Sequence, residues 1–220
     1  MKAPYYADLD ERAAVLEFDN GMTRAEAERQ AIEEALERGP QPLPGILWEL
    51  VDASRRRLHP DIDRELAALG LTGGRAPLWG IADVIEVDGC YQPAAPGEGR
   101  AAFIAPAIDG EALVDLVAHG VNSGRLLTRL GAAPLLGADE IERSLSTDMP
   151  LYVFDGVPQW LRGQTRGVVP IDWQVIGREI EGVHTLICGR SIAPRLYAAT
   201  MRCWPTPTIA TPDEELRHAA

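Results

Sequence analysis

Between Pro150 and Ala210, short apolar runs alternate with short segments of helical character, and this alternation constrains the fold more than any other feature of the chain. Leu151–Phe154, Gly167–Ile171, His184–Cys188 and Thr206–Ala210 read as strands, with Val157–Arg162, Trp173–Ile180 and Ala193–Cys203 as the helices between them. Parallel neighbours need a connection long enough to return along a sheet face. The pattern therefore predicts a small, mostly parallel sheet with right-handed crossover helices. The runs are nearly continuous, as strands covered on both faces should be.

The preceding part changes character once. Its first 75 residues read as helices. A segment capped by Asp8 or Asp10 runs through Ala13, Val15, Leu16 and Phe18 and stops at Asn20-Gly21, residues that tolerate positive φ. Thr23 and Glu26 form a capping box that opens a second helix with a thin, alanine-rich face. A proline-rich breaker over 39–45 follows, and then a third helix through Leu47, Leu50 and Val51 to Arg57, with Trp48 off its apolar stripe. Pro60 opens a fourth helix, which Gly70 or Gly73-Gly74 ends.

Beyond Gly74 the period shortens. Ile81–Val87 ends in Asp88-Gly89, Ala101–Ile108 ends in Asp109-Gly110, and Ala112–Ala118 is apolar again. Asp-Gly between apolar runs is a strong hairpin signal, because a primed turn needs positive φ at both central positions. An antiparallel meander follows over 78–130, with Tyr91–Arg100 as a long polar loop and Ala112–Ala118 open between strand and helix. The expected class is α/β, or α+β overall. Residues 1–75 form a helical region and 76–220 an α/β domain, with the parallel βα units at 150–210.

Charge narrows the function classes. Twenty-one basic residues face 33 acidic ones, a net charge of −12, and every cation except Lys2 is an arginine. A nonspecific nucleic-acid glove or a protein held on anionic lipid by its overall charge should be basic, so both are disfavoured. No apolar run reaches spanning length, and MKAPYYADLDER is acidic where a secretory leader is basic, so neither a membrane span nor a leader is expected. Cys90, Cys188 and Cys203 are odd in number and widely spaced, which argues for reduced thiols and a cytoplasmic address.

The chemistry-bearing residues cluster by position. In an open parallel sheet, ligands bind beyond the carboxyl ends of the strands. Asp155, Asp172, Arg190 and Ser191 follow successive strands there, as candidates to hold a divalent metal or a phosphate. Their structural alternative is ordinary: Asp172 and Ser191 stand where helix N-caps belong, and Asp155-Gly156 is turn chemistry. Arg55, Arg56 and Arg57 form the main basic cluster and are candidate phosphate contacts. Successive residues step about 100 degrees around a helix, so the three cannot share a face. Trp160 reads as a stacking platform or as the residue that packs a short helix on the sheet. The chain holds no phosphate-binding GxxxxGK[ST] loop, no GxGxxG, no HExxH and no GxSxG, and His59, His119, His184 and His218 have no sequence-adjacent partner.

Glu11–Ala31, ERAAVLEFDNGMTRAEAERQA, resembles a short helical segment of the form ERAAILEYDGGLxRAEAE. That segment recurs in proteins of bacterial plasmids, prophages and integrative elements, including primase- and replication-associated ones. It implies genomic company rather than a reaction. The C-terminal alternation resembles a toprim-type sheet, which carries a glutamate after its first strand and an Asp-x-Asp pair after a later one. Here those places hold Asp155 and Ile171-Asp172-Trp173, one aspartate and no pair. The reading favoured is a non-catalytic accessory or interaction protein of a mobile element, contacting a protein partner and nucleic acid only indirectly. The alternative is a metal-dependent phosphoryl-transfer or nucleotide-binding enzyme with a degenerate toprim-like site and Mg²⁺ as its cofactor.

Overall fold

The computed structural model describes residues 4–37, 45–71, 79–95, 97–110, 112–201, 203 and 205–211. It is mixed α+β and divides into two compact units, Met1–Ala133 and Pro134–Ala220. Among the described residues no helix is long and apolar enough to cross a membrane.

The first unit opens with a helical hairpin, α1 (Pro4–Asn20) and α2 (Arg24–Glu37). Asp8 and Asp10 lie inside α1 and do not cap it, because the helix begins at Pro4. Gly21 holds φ +64° at the reversal. The capping box forms as expected: the Thr23 N–H donates to Glu26 at 3.0 Å, and the Glu26 N–H donates to Thr23 Oγ1 at 3.3 Å. The small side chains let the two helices pack closely, with Ala13, Leu16, Ala27 and Ala31 forming a core of their own. Val15 and Phe18 of the same helix are exposed.

Helices α3 (Gly45–Arg57) and α4 (Pro60–Ala68) follow; Pro60 opens α4, and Gly70 at φ +69° lies just past its end. The proline-rich breaker at 39–44 and the Gly73-Gly74 stop lie outside the described residues, as does the 75/76 boundary. Helices and meander share one core, in which Ile32, Leu47 and Leu50 pack with Tyr91, Ile104 and Leu116. Each such fully buried side chain contributes about 1.5–3 kcal/mol.

The meander comprises β1 (Gly80–Val87), β2 (Cys90–Pro93), β3 (Arg100–Asp109), β4 (Ala112–Gly120) and β5 (Leu126–Thr128), antiparallel in the order β2-β1-β3-β4-β5. Asp88 and Gly89 both hold positive φ, as the primed turn requires. Asp109 pairs with Ala112, so Asp109 belongs to the strand and not to the centre of the turn that the Asp-Gly signal suggested. Ala112–Ala118 is strand. The expected loop Tyr91–Arg100 begins as strand β2, and Tyr91 is only 2% exposed. Gly80 lets α3 approach β1 at backbone contact, since a Cβ there would lie 2.1 Å from the Ala53 carbonyl carbon. The sheet curls until its edge strands β2 and β5 touch.

The second unit holds β6 (Leu135–Leu136), α5 (Asp139–Thr147), β7 (Leu151–Val153), α6 (Val157–Arg162), β8 (Val169–Pro170), α7 (Ile176–Glu179), β9 (Thr185–Cys188), α8 (Ala193–Thr200) and β10 (Thr208–Ala210). The parallel sheet is present, in the order β10-β9-β7. The second expected strand is shorter than Gly167–Ile171 and pairs antiparallel with β6, a strand the pattern did not reveal. A single parallel bridge, Val153 to Val168, joins that pair to β7. Helix α5 was also unforeseen, although three acids in its first turn and buried Ile141 and Ser144 give it a readable signature.

Candidate functional site

Strands β7 and β9 are parallel in direct register, and Val168 bridges β7 in the same sense, so the segments after β7, β8 and β9 leave the sheet from one edge. Asp155, Asp172, Arg190 and Ser191 lie in those segments, and all four are exposed. Asp172 accepts the Gln174 N–H at 2.8 Å in a local turn, which delays helix α7 to Ile176. Neither Asp172 nor Ser191 acts as an N-cap: the N-cap positions of α7 and α8 are Val175 and Ile192, with no side-chain cap. Arg195 lies over the Trp173 ring at 4.3 Å beside them. Among the described residues, no group of three or more His, Cys, Asp or Glu side chains is arranged to hold a metal ion. Trp160 packs α6 inward, its indole N–H donating to the Gly167 carbonyl at 2.9 Å.

The three arginines at the end of α3 separate as the helical step requires. Arg55 is exposed, and Arg56 approaches Asp83 at 3.6 Å and Asp52 at 3.9 Å. Arg57 is 5% exposed: it donates to Glu28 of α2 and lies 4.8 Å over the Trp79 ring. It is therefore a structural cation and not a phosphate contact. Glu28 also accepts Arg24 at 2.9 Å, so one buried carboxylate ties together the hairpin, α3 and the start of the sheet.

Sequence reasoning missed the most heavily bonded acid. Asp115 is fully buried in β4, beside a bulge that leaves Val114 unpaired. One of its oxygens accepts the N–H groups of Leu116, Arg129 and Leu130 at 2.8–3.1 Å, and the other accepts those of Ala132 and Ala133 at 2.8 and 3.2 Å. A carboxylate inside the apolar run Leu113–Ala118 was the available signal, because a buried charge requires such partners. Close by, Arg129 grips Glu49 with both carboxylate oxygens, at 3.0 and 2.9 Å. The neighbouring Tyr91 hydroxyl is buried without a hydrogen-bond partner; desolvation first, and then the Glu49 charge, push its pKa well above the usual phenol range.

Two further features stand outside these networks. His184 Nδ1 lies 2.8 Å from Asp148 on the surface. The part of the concave sheet face that α3 leaves open forms a cleft of about 450 Å³. Its floor is Val84, Ala118 and Leu127, and Arg125 reaches across the mouth to Glu86. Comparison with models of known protein families, with curated proteins and with solved structures finds no match.

Proposed function

We propose that this is a non-catalytic interaction protein, an accessory of a bacterial mobile genetic element that works in the cytoplasm by docking a protein partner on its acidic helical hairpin. The observation that carries the reading is Phe18. It stands 91% exposed on α1, with Val15 half-exposed one turn earlier and the exposed acids Glu11, Glu17 and Asp19 around it. An aromatic side chain ringed by carboxylates suits an apolar socket with a basic rim.

Two further facts support it. Three arginines on or beside the hairpin are engaged internally, Arg12 with Glu34, Arg24 with Glu28 and Glu17, and Arg57 with Glu28, which reduces their repulsion of an outside partner's cations, while Arg29 stands exposed on α2. The recurring segment that Glu11–Ala31 resembles also holds Ala13, Leu16 and Ala27 of the hairpin core, and it carries an aromatic at the place of Phe18. Phe18→Ala removes no buried contact, so thermal unfolding should stay within about 0.5 kcal/mol of wild type. Retention of a basic protein from the native host should fall at least tenfold and weaken with salt. A wild-type protein that stays monomeric and retains no protein partner would overturn the reading.

One observation favours a second reading, a phosphate- or nucleotide-binding enzyme working at Asp155, Asp172 and Arg190: the parallel pairing of β7 with β9, with Val168 bridged to β7 in the same sense. Nucleotide titration into the full chain separates the two.

A further inference from the structure

The cleft in the first unit carries an unbalanced chemistry that neither reading uses. Its floor is aliphatic, built from Val84, Ala118 and Leu127. The pair Glu86 and Arg125 neutralises itself across the mouth. Glu98 and Arg100 also line the cleft, and among the described residues neither makes an ion pair. Every other arginine side chain placed against this sheet is matched: Arg56 approaches Asp83, Arg57 bonds Glu28, and Arg129 bonds Glu49. The cleft therefore presents one unmatched carboxylate and one unmatched guanidinium over an apolar surface, a charge pattern complementary to a ligand with an ammonium, a carboxylate and an aliphatic body. Its volume falls within the range of roughly 300–1,000 Å³ typical of small-molecule sites.

We propose that this cleft binds a zwitterionic aliphatic ligand, a free amino acid or dipeptide, with its carboxylate on Arg100, its ammonium on Glu98 and its side chains on the Val84–Leu127 floor. Glu86 and Arg125 form the wall that closes over it. The two ends of the ligand are read by different residues, so each end can be tested separately.

The probes are leucyl-leucine, its C-terminal amide and its N-acetyl derivative, titrated into the full-length chain by calorimetry, with methyl NMR locating the site. Free leucyl-leucine should bind at least tenfold more tightly than either blocked form, one charge-assisted hydrogen bond being lost in each. Arg100→Gln should make the dipeptide and its amide bind alike while preserving discrimination against the acetylated form. Glu98→Gln should do the reverse. The wild-type series alone overturns the proposal if none of the three binds, if the blocked forms bind as well as the free dipeptide, or if the shifted methyls lie away from Val84 and Leu127. Equal weakening of all three probes by both variants would also overturn it.

Discussion

Asparagine at position 115 keeps the shape of the aspartate and removes its capacity. The native carboxylate accepts five backbone N–H groups, three on one oxygen and two on the other. The asparagine carbonyl can replace the first oxygen, but its amide N–H₂ then sets donor against donor at Ala132 and Ala133, beside a fully buried side chain. Two hydrogen bonds to a charged acceptor are lost, each contributing about 1.5–3 kcal/mol, so Asp115→Asn should destabilise the first unit by about 3–6 kcal/mol. Hydrogen exchange on the full chain separates this from a general loosening. The amides of Arg129, Leu130, Ala132 and Ala133 should exchange faster than in wild type, those of Ala132 and Ala133 most of all. Amides of β7 and β9 should be unaffected. If the variant unfolds within 1 kcal/mol of wild type, or those four amides stay slow, then the carboxylate is not what holds the segment.

Two other perturbations follow from the same packing. Glu28→Gln leaves the buried Arg57 guanidinium without its counter-charge and should cost about 3–5 kcal/mol in urea unfolding; the conservative Arg57→Lys should cost less than Glu28→Gln because it leaves both charges in place. In an alkaline titration followed by tyrosine absorbance, Tyr91 should stay protonated well above the usual phenol range. Its folded pKa is raised, so the unfolded chain releases that proton first. Stability from this group is complete below about pH 10, the unfolded tyrosine value, and falls as pH rises beyond it. A tyrosine count that completes with no loss of structure would contradict its burial.

Much of the architecture was legible because local chemistry decided it. Asp88-Gly89 can reverse a strand pair almost whatever surrounds it, Thr23 and Glu26 satisfy each other's backbone, and Pro60 suits only a helix start. What escaped depended on distant partners. Strand β2 reads as loop because Tyr91-Gln92-Pro93 is short and ends in proline, yet Tyr91 is drawn inward by a core assembled from α3, β3 and β4. Strands β6 and β8 are two residues each, too short for any period to show. The candidate site was half legible. Alternation alone revealed the parallel pairing of β7, β9 and β10, after which Asp155 and Arg190 follow. The role of Arg57 depended on Glu28, 29 residues away, and the cleft depended on the curl that brings Arg125 to Glu86 across 39 residues.

The proposal that the hairpin docks a protein through Phe18 is tested most directly by placing the photo-crosslinking residue p-benzoylphenylalanine at position 18 in the native host. One discrete crosslinked product should form on irradiation, its partner a basic protein, and the same residue at exposed Tyr197 should give no such product. Irradiation that yields no product at position 18, or the same smear at both positions, would contradict the account.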